Sequence, residues 1–159
     1  MKKIFLLLIL FMGLHIQAQI SNPKADLQNL LKADLVSVYY GVVSLSFEKP
    51  VNHHSFLYTA DVELGFRVLG FGFNYNYYIF DKAPYGLYLS PGIELIAITT
   101  DNPDVGLAPN IAAGYQYILP KQNFVIDLKV GVAAFAFQII NQKPMGFVGF
   151  SLGFAKPKK

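Results

Sequence analysis

The 159-residue chain contains no cysteine, which excludes disulfides, Cys-ligated metal and lipid acylation at a Cys. Charge is also scarce. Asp, Glu, Lys and Arg make up 14% of the residues, and the basic ones form no stripe of the kind that nucleic-acid binding requires. Long apolar runs are missing as well. Beyond residue 18 the longest is 130–140, with Gln138 inside it, whereas a membrane helix needs about 20 residues. No Gly-rich phosphate loop is present, because the glycines recur at strand spacing. What is abundant is apolar and aromatic side chain, 53% of the chain being hydrophobic. With no second membrane helix available, and with every membrane-spanning backbone group needing an internal hydrogen bond, the remaining way to live in lipid is a closed β-barrel.

The first residues address the chain to a compartment. Lys2 and Lys3 precede an apolar run from Ile4 to Leu14, then the more polar segment 15–19 with the small Ala18. This pattern predicts a secretory signal peptide over 1–18 and a mature chain starting at Gln19, because the run is too short for a membrane anchor. There are 13 Lys and Arg against 10 Asp and Glu; without Lys2 and Lys3 the excess falls from +3 to about +1. The basic character is thus mostly a property of the leader and of a tail with Lys156, Lys158 and Lys159, read here as a solvated terminus.

The mature chain has the length of one domain. Turn-rich clusters recur at 49–52, 81–84, 101–104, 120–123 and 141–144. The segments between them have strand length, and strands are expected near 35–48, 55–67, 69–80, 85–99, 106–119, 123–137 and 146–155, with a tight link around 68–70. Residues 19–34 form an N-terminal segment ahead of a barrel over 35–159. Within it Leu27, Leu30 and Leu31 stand at helical spacing and predict a short amphipathic helix over 26–34. Seven strands are one short of the even number that a bacterial barrel requires.

Each segment alternates. In 56–68, Phe56, Tyr58, Ala60, Val62, Leu64, Phe66 and Val68 oppose Thr59, Asp61, Glu63, Gly65 and Arg67. In 70–79, Phe71, Phe73, Tyr75 and Tyr77 oppose Gly72, Asn74, Asn76 and Tyr78. The phase slips at Phe135 and Phe137, which predicts a bulge or a strand end. One face thereby collects Glu48, Asp61, Glu63, Arg67, Glu94, Asp127 and Lys129. A basic residue on the lipid face near the midplane costs about 2–4 kcal/mol and acids somewhat less, so seven facing outward would cost on the order of 10 kcal/mol. That rivals the whole stability of a domain, roughly 5–15 kcal/mol. The charges are therefore expected in the lumen, where Gly and Ser make room. In a barrel of about eight strands they would form a plug of ion pairs rather than line a pore. Tyr39, Tyr58, Tyr75, Tyr77, Tyr115 and Tyr117, on the apolar phase, suit interfacial girdles or ordinary packing. A soluble lipocalin-like barrel has the same period with the faces reversed, and it would need many more exterior charges.

The stretches 43–48 (VSLSFE), 85–92 (YGLYLSPG), 114–118 (GYQYI) and 147–154 (FVGFSLGF) look like the strand ends of small outer-membrane β-barrels, and the mature chain resembles the OmpA-like/OmpX-like class, particularly that of the Bacteroidota. The resemblance implies an antiparallel up-and-down barrel that is inserted by the outer-membrane assembly machinery and surrounded by outer-membrane lipid. Such barrels usually end at the aromatic, whereas here Phe154 is followed by five further residues.

Candidates for chemistry are few. His53-x-Ser55 resembles the His-x-Ser-Asn motif of outer-membrane lipid A deacylases, but Phe56 stands in place of the Asn. Nucleophilic catalysis also needs an orienting acid, and a polar turn accounts for the segment. Adjacent His53 and His54 point apart on a strand and make no metal pair. Asp61 and Glu63 form a like-charge pair that invites Arg67 or Lys129 as a neighbour, a structural network rather than a glycosidase pair. The expectation is an envelope protein with a structural or interaction role, without enzymatic activity, cofactor or metal. A narrow channel is the first alternative to it. Short connections leave little material for a ligand-capturing lid.

Overall fold

The computed structural model describes residues 27–80, 82–101, 103–119, 123–134 and 143–157. Eight strands run in chain order: β1 (Leu27–Asp34), β2 (Val42–Val51), β3 (His54–Glu63), β4 (Val68–Tyr78), β5 (Gly86–Ile98), β6 (Asp104–Leu119), β7 (Phe124–Ala133) and β8 (Met145–Pro157). Each pairs antiparallel with the next, and β8 returns to β1, so the sheet closes into a barrel with no free edge. The seam register runs from Leu30↔Ala155 to Asp34↔Ser151. One short helix, α1 (Leu35–Tyr39), links β1 to β2.

The missing strand is the segment expected to be a helix. Residues 27–34 are β1, and the register shifts between Leu27 and Asn29. A bulge adds one residue on one side of a ladder, so Leu27 and Leu30 both turn inward and are buried although they stand three apart, while Leu31 faces out. The bulge imitates helical spacing. Helix forms only afterwards, at 35–39 within the segment expected as the strand 35–48. There the Asp34 carboxylate accepts from the backbone of Val36 (2.9 Å) and Ser37 (3.0 Å) and thereby caps two of the free N–H groups of the first turn. Gly41, at φ 78°, turns the chain into β2 in a conformation that suits glycine.

A second expectation is corrected at the β3–β4 link. The alternation does not continue through Arg67. β3 stops at Glu63, and 64–67 form the turn, where Phe66 takes φ 55° and donates from its backbone N–H to Glu63 O (2.8 Å). The tight link therefore lies at 64–67 instead of 68–70. The signal-peptide reading of 1–18 and the phase slip at Phe135 and Phe137 fall outside the described residues.

The alternate faces differ sharply in exposure. On β2, Ser44, Ser46 and Glu48 are buried and Val43, Leu45 and Phe47 are exposed; on β7, Val125 and Asp127 are buried and Leu128, Val130 and Val132 exposed. The outward phase of the other strands is likewise apolar, with Leu31, Phe71, Leu95, Ile111 and Val148 all more than half or nearly half exposed. Inside, one end is filled by an apolar cluster of Leu27, Leu30, Tyr85, Ile118, Val125 and Ala155, at the end where β1 begins and β8 finishes.

Candidate functional site: the charged interior

At the centre of the barrel stands Lys32, which is 2% exposed and points inward from β1. Its ammonium meets three oxygens: Asp127 Oδ2 on β7 at 2.6 Å, Gln116 Oε1 on β6 at 2.7 Å and Glu48 Oε2 on β2 at 2.9 Å. Gln116 and Asp127 accept hydrogen bonds from it, and Glu48 Oε2 faces it as an ion pair. The carboxylates are supported in turn. Glu48 Oε1 accepts from the Ser55 hydroxyl, from Tyr78 OH (2.7 Å) and, at 3.5 Å, from Asn76 Nδ2. Asp127 Oδ1 accepts from Tyr88 OH (2.7 Å), and Gln116 Nε2 donates to the Pro84 carbonyl (2.8 Å). Two buried carboxylates against one ammonium leave a negative excess, which the tyrosine and serine hydroxyls spread by donating to it. Buried charge is tolerated when it is paired and its remaining lone pairs are satisfied.

A second cluster lies toward the opposite end. Asp34 faces the interior while it caps α1. Its Oδ2 accepts from Ser151 Oγ (3.3 Å) and lies 4.0 Å from Lys129 Nζ. Asp61 and Glu94 meet over Gly70, whose missing side chain leaves the space that both carboxyls occupy. Further along β4, Asn74 Nδ2 donates to Asn110 Oδ1 (2.7 Å). Glycines serve as sockets here: a Cβ on Gly114 would run into the Tyr88 ring, and one on Gly149 would run into Lys129 and Asp34.

Of the seven charges expected to share the lumen, the structure gathers Glu48 and Asp127 on Lys32, and places Asp61, Glu94 and Lys129 in the second cluster. Glu63 and Arg67 are corrected. They form an i,i+4 contact of 3.9 Å at the turn after β3, and the Arg67 side chain is 69% exposed. The cause is the early end of β3, which takes Arg67 off the strand. Lys32 and Asp34 were missed because their segment imitates a helix. The signal was present: in Leu30-Leu31-Lys32-Ala33-Asp34 the two charges stand two apart, in phase with each other. Tyr78 and Tyr88 fell on the polar phase but look like apolar residues by composition, and their hydroxyls make them part of the network.

Ser55 turns inward and is held by Glu48, while His54 turns outward and stacks on Tyr75 (ring centroids 5.6 Å apart). Neighbouring strand positions face opposite sides, so Ser55 and His54 are separated by the sheet, while His53, the histidine of the His-x-Ser reading, lies in the β2–β3 turn ahead of the strand. Among the described residues no group of three or more His, Cys, Asp or Glu is placed to hold a metal ion. Comparison with protein-family models, with curated proteins and with solved structures returns no match to this chain.

Proposed function

We propose that this protein is a small integral β-barrel of a bacterial outer membrane, exported by a leader over 1–18, with a structural or interaction role in the envelope and no enzymatic activity. One observation carries the reading: the outward phase of a closed barrel is exposed and predominantly apolar, while Lys32, Asp34, Glu48 and Asp127 are buried inside it. Water as the surrounding solvent would favour the reverse arrangement. In lipid the same surface is matched to its solvent, and the closed sheet leaves no unpaired backbone edge. The apolar filling around Leu30, Tyr85, Ile118 and Val125 and the paired centre above it favour a plugged barrel over a channel. The inward, Glu48-bound Ser55 speaks against lipid A deacylation. The likeness to OmpA-like/OmpX-like barrels belongs to this proposal, as do insertion by the assembly machinery and a surround of outer-membrane lipid.

The test is fractionation of the native host, followed by gel mobility of the mature protein with and without boiling. Recovery in the outer membrane, with a folded band that shifts on heating, is expected. Recovery in the soluble periplasm without a heat-modifiable band would overturn the proposal.

A further inference from the structure

The lysines are scattered along the sequence but not over the barrel. Consecutive strands are antiparallel, so the end at which β1 begins and β8 finishes also carries the β2–β3, β4–β5 and β6–β7 links. Lys49 stands near that end of β2 on the outward phase, Lys82 lies in the β4–β5 link, and Lys156 lies near the end of β8; all three are exposed. They occupy separate sectors, Lys156 beside the seam, Lys49 on β2 and Lys82 across the barrel. The other end carries no such excess, with Glu63 and Asp101 against Arg67 and Lys143 and with Asp104 buried.

Exposed aromatics accompany the lysines. Phe80 is 80% exposed, Tyr77 and Phe154 are about half exposed or more, and Phe154 packs edge-on to Phe124 at 5.5 Å. Aromatic rings at the headgroup level, with cations reaching past them, form the arrangement that anchors a protein at a membrane surface. The placement of the charges also selects the kind of anion. A single multivalent ligand would need ammoniums that converge on one point, whereas these stand in separate sectors of the circumference, as a surrounding layer of phosphates requires.

We infer that this end of the barrel is a collar for anionic phospholipid headgroups, with Lys49, Lys82 and Lys156 on the phosphates and Phe80 and Phe154 at the boundary with the acyl chains. The inference rests on the membrane reading proposed above and adds to it a lipid preference confined to one end.

The chain has no Trp, so one substitution supplies a clean fluorescent reporter. The mature Phe80→Trp protein is folded into equimolar phosphatidylcholine and phosphatidylglycerol vesicles in which one lipid or the other carries brominated, quenching acyl chains. The lysine effect near an anionic surface predicts about a fivefold preference for phosphatidylglycerol. The preference should fall toward one in Lys49→Gln/Lys82→Gln/Lys156→Gln and at high salt. Tyr39→Trp, at the opposite end, should show no preference, and Phe154→Trp is a second reporter at the collar. Equal quenching of the Phe80→Trp and Phe154→Trp proteins by both lipids would overturn the collar and leave the membrane reading standing. If neither lipid quenches a reporter at either end, the membrane reading falls and the collar with it.

Discussion

Lys32 on β1 and Asp127 on β7 lie 95 residues apart in sequence and meet at 2.6 Å in the barrel interior. β8 separates their strands in the sheet, so the contact is made through the lumen and not along a ladder. The contact exists only when the sheet has closed, and it ties together the two parts of the chain that close it.

Replacing Lys32 by Met should be severely destabilising, because Glu48 and Asp127 would then be buried without a cation. Removing one partner of a buried pair costs about 3–5 kcal/mol. The urea midpoint of the refolded barrel should drop accordingly. The Lys32→Met/Glu48→Gln/Asp127→Asn protein should recover part of the loss. A Lys32→Met protein with an unchanged midpoint would show that the central cluster does not hold the barrel together.

Glycine substitutions should rank by what surrounds them. A Cβ on Gly153 would collide with the Leu31 carbonyl across the β1–β8 seam, whereas one on Gly146 would find its nearest neighbour, Gly131 O, at 3.8 Å. Gly153→Ala should therefore cost about 1–3 kcal/mol as an overpacked site, and Gly146→Ala should be close to neutral. Folded-band yield after refolding distinguishes the two, and equal yields would contradict the seam geometry.

Leu128 sits mid-strand on the outward phase of β7 and is 54% exposed. In lipid, Leu128→Arg should lower folding stability by about 2–4 kcal/mol. In water the same change at an exposed site would fall within about 0.5 kcal/mol. Unfolding in vesicles measures the difference, and a neutral result would mean that the outer face does not see acyl chains.

Phe66 holds a left-handed backbone conformation at φ 55° in the turn after β3. This costs a residue with a Cβ roughly 1–2 kcal/mol, a conformation that Asn adopts more readily. Phe66→Asn should raise the urea midpoint by the equivalent of about 1 kcal/mol. A lowered midpoint would show that the ring contributes more than the backbone loses.

The barrel class and most of the strands were legible in the sequence because a sheet with two unlike faces writes its period into the chain two residues at a time. Two features hid the rest. The bulge at Leu27 and Asn29 changed that period locally, so β1 read as a helix and Lys32, the central cation, dropped out of the candidate site. At 64–67, Leu64, Gly65, Phe66 and Arg67 continue the alternation past the true end of β3, and only the positive φ of Phe66 breaks it. Arg67 was drawn into the interior by a pattern that outlasts its strand. The gathering of Lys49, Lys82 and Lys156 at one end was invisible for a different reason: it depends on which links share an end, and spacing along the chain carries no such information.

The seam between β1 and β8 makes the barrel indivisible. An open sheet can lose an edge strand and keep most of its pairing, but here the first strand is hydrogen-bonded to the last, so removing either one exposes two unpaired borders at once. A nascent copy can satisfy Leu30 through Asp34 only after residues 151–155 have been delivered. Until then the ring is unfinished, its first strand has only one of its two neighbours, and the bare border of that strand is open to pairing with another chain.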